Sequence, residues 1–171
     1  MTTGNRLIYI TGGVRSGKSR YAQEMALSLS EHPVYLATAR KWDDDFKERI
    51  RHHQSDRDER WTSIEEEKYF SRLDLDDRVV VIDCVTLWLT NFFVDNGNDI
   101  QQCLSACEQE IMLLKQRPGV FIIISNEIGM GMHADTAIGR KFADLQGWTN
   151  QLIARQADEA IFMVSGRPLK L

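Results

Sequence analysis

Three cysteines in 171 residues are too few for a disulfide framework, and they form no CxxC pair. Cys84, Cys103 and Cys107 also lack the paired His/Cys spacing of a zinc site. Cys103 and Cys107 stand at i and i+4 of an expected helix, where packing is the expected role. A reduced, cytoplasmic setting follows as the expectation. Proline is equally scarce, at three residues, and no low-complexity tract or linker interrupts the chain, so residues 1–171 are read as a single domain. A chain of this length buries roughly 70% of its unfolded surface, enough for one core without staples. Long apolar runs are missing: Val79–Ile82 and Phe121–Ile124 are strand-sized and far short of the ~20 residues of a membrane span. Met1–Asn5 carries no basic segment followed by an apolar one, so no secretory signal is expected. Positive charge is not in excess either. With 21 Lys and Arg against 25 Asp and Glu, the net charge of −4 disfavours nucleic acid or an anionic membrane as partner. Any cation that serves phosphate must be placed locally.

What is present is an alternation of strand-like and helix-like segments. Arg6–Thr11, Val34–Thr38, Val79–Asp83 and Phe121–Ser125 read as buried strands. Helices are expected over about Ser19–Ser30, Asp43–Gln54, Ile100–Lys115 and Asp135–Ala157, with a short one over Glu65–Phe70. Ala160–Val164 and Pro168–Leu171 flank Ser165-Gly166 as an expected C-terminal hairpin. Strand–helix alternation of this kind points to an α/β fold with a mainly parallel sheet flanked by helices.

The strongest local signal is Gly12-Gly13-Val14-Arg15-Ser16-Gly17-Lys18-Ser19, which fits GxxxxGK[ST] between an expected strand and an expected helix. Glycines let the backbone turn its N–H groups toward phosphate oxygens, and the helix adds its own open N–H groups and dipole. Lys18 is placed to serve the β- and γ-phosphates, and Ser19 to ligate Mg²⁺. A second Mg²⁺ anchor is expected at the end of another strand, and Asp83 after Val79–Ile82 has that form. The competing reading of Asp83 is a cap on the helix that follows. Asn126 and Glu127 follow the Phe121–Ser125 strand. They are expected near the site, because ligands lie outside the carboxyl ends of parallel strands, but the sequence gives them no role. No NKxD-type guanine-reading segment occurs, which disfavours a regulatory GTPase.

In Arg49-Ile50-Arg51-His52-His53-Gln54-Ser55-Asp56-Arg57, helical spacing would line Arg49, His53 and Arg57 on one stripe. Two guanidiniums beside an imidazole fit an anionic ligand. Neighbouring cations also enlarge the neutral, nucleophilic fraction of a histidine. Attack of His53 on phosphorus is chemically reasonable, a general-base role is a second option, and a solvated surface pair is the plainest reading. His32 and His133 have no partner in the pattern.

Taken together these residues resemble the bifunctional adenosylcobinamide kinase / adenosylcobinamide-phosphate guanylyltransferase family of cobalamin biosynthesis. The likeness runs nearly end to end. It covers Thr11–Arg20, Tyr35–Ala39, the acidic run Asp43–Asp45, Arg49-Ile50 with His53, Trp61, Glu65, Asp83-Cys84 and Thr86–Asn91. It continues through Ser125-Asn126-Glu127-Ile128-Gly129-Met130-Gly131, Asn150-Gln151 and Ala157-Asp158-Glu159. A P-loop is common to many families, whereas a P-loop joined to RIxxH and SNExGxG is specific.

The resemblance implies a P-loop NTPase of RecA-like fold. It implies phosphorylation of adenosylcobinamide by ATP or GTP, then transfer of GMP from GTP to the product through a guanylylated histidine, which falls on His53 rather than on His52. It places nucleotide contacts on Gly12–Ser19, Ala37, Thr38, Ala39, Gln54, Ser55, Asp56, Arg57, Glu65 and Asp83, and implies a homotrimer. Met132-His133 stands where a Val-Pro pair is usual, and Trp148 where arginine is common, so the corrinoid-facing loop departs from the pattern. Two alternatives remain in view: a small-molecule kinase without nucleotidyl transfer, and a nucleotide-dependent hydrolase. Trp88, Phe92 and Phe93 are expected in the core rather than against a corrinoid.

Overall fold

A computed structural model of the chain describes residues 4–40 and 57–171. The expected helix over Asp43–Gln54, and with it His53, lies outside the described residues.

Seven strands among the described residues form one sheet in the order β3-β2-β4-β5-β1-β6-β7. The P-loop strand β1 (Asn5–Gly12) lies between β5 (Gly119–Ile124) and β6 (Glu159–Val164), parallel to both. Beyond β5 come β4 (Arg78–Asp83), β2 (Val34–Ala37) and β3 (Thr62–Glu65), all parallel. Only β7 (Arg167–Lys170) runs antiparallel, paired with β6 through Ser165 and Gly166 at φ 50° and 77°. Positive φ at both turn residues matches the right-handed twist of a tight hairpin, as the sequence suggested. The strand β5 thus separates the P-loop strand from the strand that carries Asp83. This is the expected mainly parallel sheet flanked by helices, closed by the expected hairpin.

Because the central strands are covered on both faces, their residues are apolar throughout and sort by parity. Leu7, Tyr9, Val80, Ile82, Phe121 and Ile123 face one layer. That layer holds the helices α2 (Val85–Asp95), α3 (Ile100–Lys115) and α4 (Ala137–Gln156). Ile8, Ile10, Val79, Val81, Ile122 and Ile124 face α1 (Lys18–Leu29) through its buried Ala22 and Ala26. Asp99 and Thr136 cap α3 and α4 by accepting from Gln102 N and Gly139 N, each at 3.0 Å. Cys103 and Cys107 are buried, unpaired packing residues of α3. No helix among the described residues is long and apolar enough to cross a membrane.

Two elements differ from expectation. The short helix over Glu65–Phe70 does not form: Glu65 ends β3, and the side chain of Glu66 accepts from the backbone of Lys68 and Tyr69 instead, making a turn. A single 3-10 turn over Phe70–Arg72 follows. Conversely, Val85–Asp95 is a full helix. Trp88, Phe92 and Phe93 are buried in it, in the core as the sequence suggested.

A cluster of charges fixes the chain where it leaves β2. Arg40 forks onto Asp95 with bonds of 2.9 and 2.8 Å and reaches Glu67 at 2.7 Å, while Lys68 joins Asp95 at 2.7 Å. The two cations hold the Asp95 carboxyl far below its usual range, chiefly through the Arg40 bonds. A depressed carboxylate stabilises the fold above its unfolded pKa of about 3.9, and that contribution fades as pH falls further. Asp95→Asn is therefore expected to lower stability by about 1 kcal/mol at pH 7. The difference from wild type should shrink steadily below about pH 4, as read by urea unfolding at a series of pH values. A difference that persists unchanged at pH 2 would show that the charge is not its source.

Candidate phosphate-binding site

The carboxyl ends of the parallel strands meet at one edge of the sheet. Register places Ala37 beside both Glu65 and Asp83, and Asp83 beside Ile124, which pairs with Ile10 in β1. Gly12, Ala37, Glu65, Asp83 and Asn126 therefore share that edge even though more than 110 residues separate the first from the last.

The loop between β1 and α1 is built on two glycines that no other residue can replace without strain. Gly12, at φ 155°, would place a Cβ 2.6 Å from the Met163 carbonyl, and Gly17 takes φ 96° as the N-cap of α1. A Cβ on Gly17 would lie 3.2 Å from Gly166 Cα, because the β6–β7 turn packs against the loop. That turn also donates from Gly166 N to Ser16 O at 2.9 Å. Unlike α3 and α4, α1 has no side-chain cap, so its first N–H groups are open to an anion.

Lys18 is 7% exposed, and its ammonium donates to the Gly13 carbonyl at 2.5 Å and to Ser16 Oγ at 3.4 Å. Burial lowers its proton affinity, partly offset by the nearby Cys84 and Asp83. Gly13, Val14 and Arg15 are exposed at the lip of the loop. Ser19 donates to Asp83 Oδ2 at 3.1 Å. Asp83 does not cap the following helix: the N-cap of α2 is Cys84, without a side-chain bond, and Asp83 turns toward the loop. Two hard oxygen donors from opposite sides of the edge are thus brought together, the set a Mg²⁺ ion on nucleotide phosphates takes from protein. The residues fit that ion.

Tyr35, which the sequence showed only as part of a strand, joins this group. Its hydroxyl donates to the same Asp83 oxygen at 2.6 Å, and burial beside that carboxylate raises its pKa well above the usual range. The guanidinium of Arg57 lies 3.7 Å over the Tyr35 ring, with Nε and Nη1 buried and without a hydrogen-bond partner among the described residues. Arg57 thus stands one ring away from Asp83. Thr38 is fully buried and differs in kind. Its hydroxyl bonds both N and O of Cys84, and its own N and O bond Asp83 and Asn91, so its side chain braces the strand ends. Ala37 and Ala39 flank it, half-buried, and Glu65 is exposed at the end of β3. Gln54, Ser55, Asp56 and His53 lie outside the described residues.

Between the loop and Asp83, at the end of β5, Glu127 donates its backbone N–H to Gly12 O at 3.1 Å and accepts from Thr11 Oγ1 at 2.7 Å. Asn126 bonds Thr86 at 2.9 Å. Behind them lies a buried polar group that sequence spacing could not reveal. Asn150 Oδ1 accepts from Ser125 Oγ at 2.5 Å and from Gln146 at 3.0 Å, while Asn150 Nδ2 donates to Asn126 O at 3.0 Å.

A glycine loop running from a central parallel strand into an uncapped helix, its lysine turned inward and its serine facing an acid two strands away, defines a P-loop nucleotide-binding protein. Within that class the family can be stated. The chain belongs to the cobinamide kinase / cobinamide phosphate guanyltransferase (CobU) family, whose model matches residues 8–171. It is 34% identical over 180 residues to the bifunctional adenosylcobalamin biosynthesis protein CobU of Escherichia coli K12, covering 96% of this chain and 99% of that one. It is also 34% identical over 166 residues to the bifunctional adenosylcobalamin biosynthesis protein CobP of Pseudomonas aeruginosa, covering 95% of each. The CobU protein of Salmonella typhimurium LT2 is 33% identical over 180 residues.

Proposed function

We propose that this chain phosphorylates the alcohol of adenosylcobinamide with a nucleoside triphosphate and then transfers GMP from GTP to the new phosphate, giving adenosylcobinamide-GDP. One observation carries the proposal: a complete phosphate cradle in a chain that matches this family from residue 8 to residue 171.

In the first reaction the acceptor oxygen attacks the γ-phosphorus, and the bond to the β-phosphate oxygen breaks. The loop N–H groups of Gly13–Ser19 and the Lys18 ammonium hold the phosphates and take up charge that develops on them. Mg²⁺ between Ser19 and Asp83 would neutralise phosphate charge. In the second reaction the His53 imidazole attacks the α-phosphorus of GTP, a nitrogen–phosphorus bond forms and pyrophosphate leaves. A phosphate oxygen of the acceptor then displaces the histidine and takes the GMP. Ala37, Ala39, Arg57, Glu65 and Asp83, together with Gln54–Asp56, are the proposed remaining nucleotide contacts. A homotrimer in the cytoplasm is part of the same proposal, and light scattering on the purified protein tests the assembly.

Incubation with Mg²⁺ and GTP labelled at the α-phosphate is expected to label the protein stoichiometrically. The bond should be acid-labile and base-stable, as a phosphoramidate is, and absent in His53→Ala. If no α-label is incorporated while γ-label reaches cobinamide, the protein is a kinase without nucleotidyl transfer. Release of inorganic phosphate with neither product labelled would establish the hydrolase alternative.

A further inference from the structure

Glu127 sits between the two halves of the phosphate site. It follows β5, the strand lying between β1 with its loop and β4 with Asp83. The bond from its backbone N–H to Gly12 O, at 3.1 Å, fixes it to the first residue of the loop. Its Oε1 accepts from Thr11 Oγ1 at 2.7 Å and from Asn150 Nδ2 at 3.3 Å. Both donors are themselves buried, Thr11 to 3% exposure and Asn150 to 6%, and Asn150 is held in turn by Ser125 and Gln146. The orientation of the carboxylate is therefore imposed by a buried scaffold.

That scaffold uses one oxygen only. Among the described residues no cation pairs with the group and no other side chain donates to Oε2 within hydrogen-bond distance, while the buried Tyr9 hydroxyl, itself without a partner, stands beside the carboxylate. The side chain is half-buried. A glutamine could accept both bonds through its Oε1 equally well, so packing does not explain the charge. A carboxylate beside a loop that collects phosphate anions is also electrostatically unfavourable. The feature that calls for a reason is an oriented carboxylate with no cation against it and one oxygen outside the scaffold.

The two proposed reactions differ in what their nucleophiles carry. The acceptor in phosphoryl transfer is an alcohol, whose proton must leave as the oxygen–phosphorus bond forms. In guanylyl transfer the nucleophiles are a neutral imidazole nitrogen and then a phosphate oxygen that is already ionised, so neither step needs a base at the acceptor. We propose that Glu127 is a catalytic residue of the phosphoryl-transfer half alone, receiving the acceptor's proton on Oε2. As the alcohol oxygen bonds to the γ-phosphorus, its proton passes to Oε2. The electron pair of the broken bond stays with the β-phosphate oxygen, and the nucleoside diphosphate departs. The carboxyl group then loses the proton to water. Thr11 and Asn150 are positioning residues that aim the free oxygen. This inference rests on the proposed function, since it presupposes an alcohol acceptor.

Glu127→Gln in the full chain tests it, because the variant keeps both scaffold bonds and removes only the basic oxygen. With Mg²⁺, γ-labelled triphosphate and cobinamide, kcat for phosphorylation is expected to fall on the order of 10²-fold. KM for the triphosphate should stay within about twofold. Stoichiometric α-labelling from GTP should persist, which reports an intact loop. An unchanged kcat overturns the inference, and so does an equal loss in both halves, which would mark Glu127 as a brace for the loop. Wild-type protein that transfers no γ-label to cobinamide would instead overturn the kinase reading and remove the inference along with it. Thr11→Val should give a partial kcat loss with KM for the triphosphate and α-labelling both unchanged; loss of α-labelling there would overturn its positioning role and assign Thr11 to the loop itself.

Discussion

Lys18→Ala is expected to lower kcat/KM for both transfer reactions by roughly 10²- to 10³-fold. Both reactions draw on a triphosphate held in one cradle, and Lys18 is the buried cation inside it. Its ammonium donates to the Gly13 carbonyl and Ser16 Oγ, at 2.5 and 3.4 Å. An arriving phosphate would take over those contacts with a stronger, charge-assisted pair. The loss should appear in nucleotide binding by calorimetry as well as in rate. The same substitution is not expected to lower the unfolding midpoint of the ligand-free protein. Burial already penalises the charged lysine, as its lowered proton affinity shows, so removing it relieves a cost of the fold. Undiminished rates in the variant would mean that the triphosphate sits elsewhere. A sharply lowered midpoint would mean that Lys18 is chiefly structural.

The largest stability effect is expected at Trp88. Its ring is 1% exposed and lies 5.0 Å from Phe70 and 5.6 Å from Phe92 between ring centres. Its indole N–H donates to the Lys68 carbonyl at 2.8 Å. Trp88→Ala leaves a large cavity and an unpaired carbonyl, at a cost of about 3–5 kcal/mol. That is a large share of the roughly 5–15 kcal/mol that holds a domain folded. Trp88→Phe keeps most of the volume and loses the bond, for about 1–3 kcal/mol. Urea unfolding at constant m-value reads both. A loss under about 1 kcal/mol for Trp88→Ala would remove the residue from the core and reopen a corrinoid-contact role.

The sequence announced the elements whose signal is local. The P-loop needs eight consecutive residues between a strand and a helix, and Asp83 needs only the apolar run before it. Both stand where they were expected, as do α1, α3, α4 and the hairpin. Two elements were missed for opposite reasons. Thr62–Glu65 is an edge strand with only Ile64 turned inward, so it has no apolar run to advertise it. Val85–Asp95 is nearly apolar all round, which hides the polar face that marks a helix. The spacing of Val85, Trp88, Leu89 and Phe92 carried the signal nonetheless. Within the site, Tyr35 and Asn150 were visible only as members of the stretches that carry the family resemblance. Tyr35 meets Asp83 across 48 positions, and Asn150 meets Glu127 across 23, and pairings of that kind are made by the sheet. Thr38 shows the reverse. Its place among the nucleotide contacts says nothing of a hydroxyl turned fully inward to Cys84.

The β6–β7 turn gives the cradle a history as well as a shape. The strand that leads into the loop is flanked by β5 and β6, and the Ser16 carbonyl is satisfied by Gly166, 150 positions later. A chain emerging from the ribosome offers its glycine loop long before the backbone against which that loop sets. The ability to grip a triphosphate should therefore switch on abruptly, only when residues beyond Gly166 have cleared the exit tunnel, and any nascent chain stalled short of that point should remain blind to nucleotide.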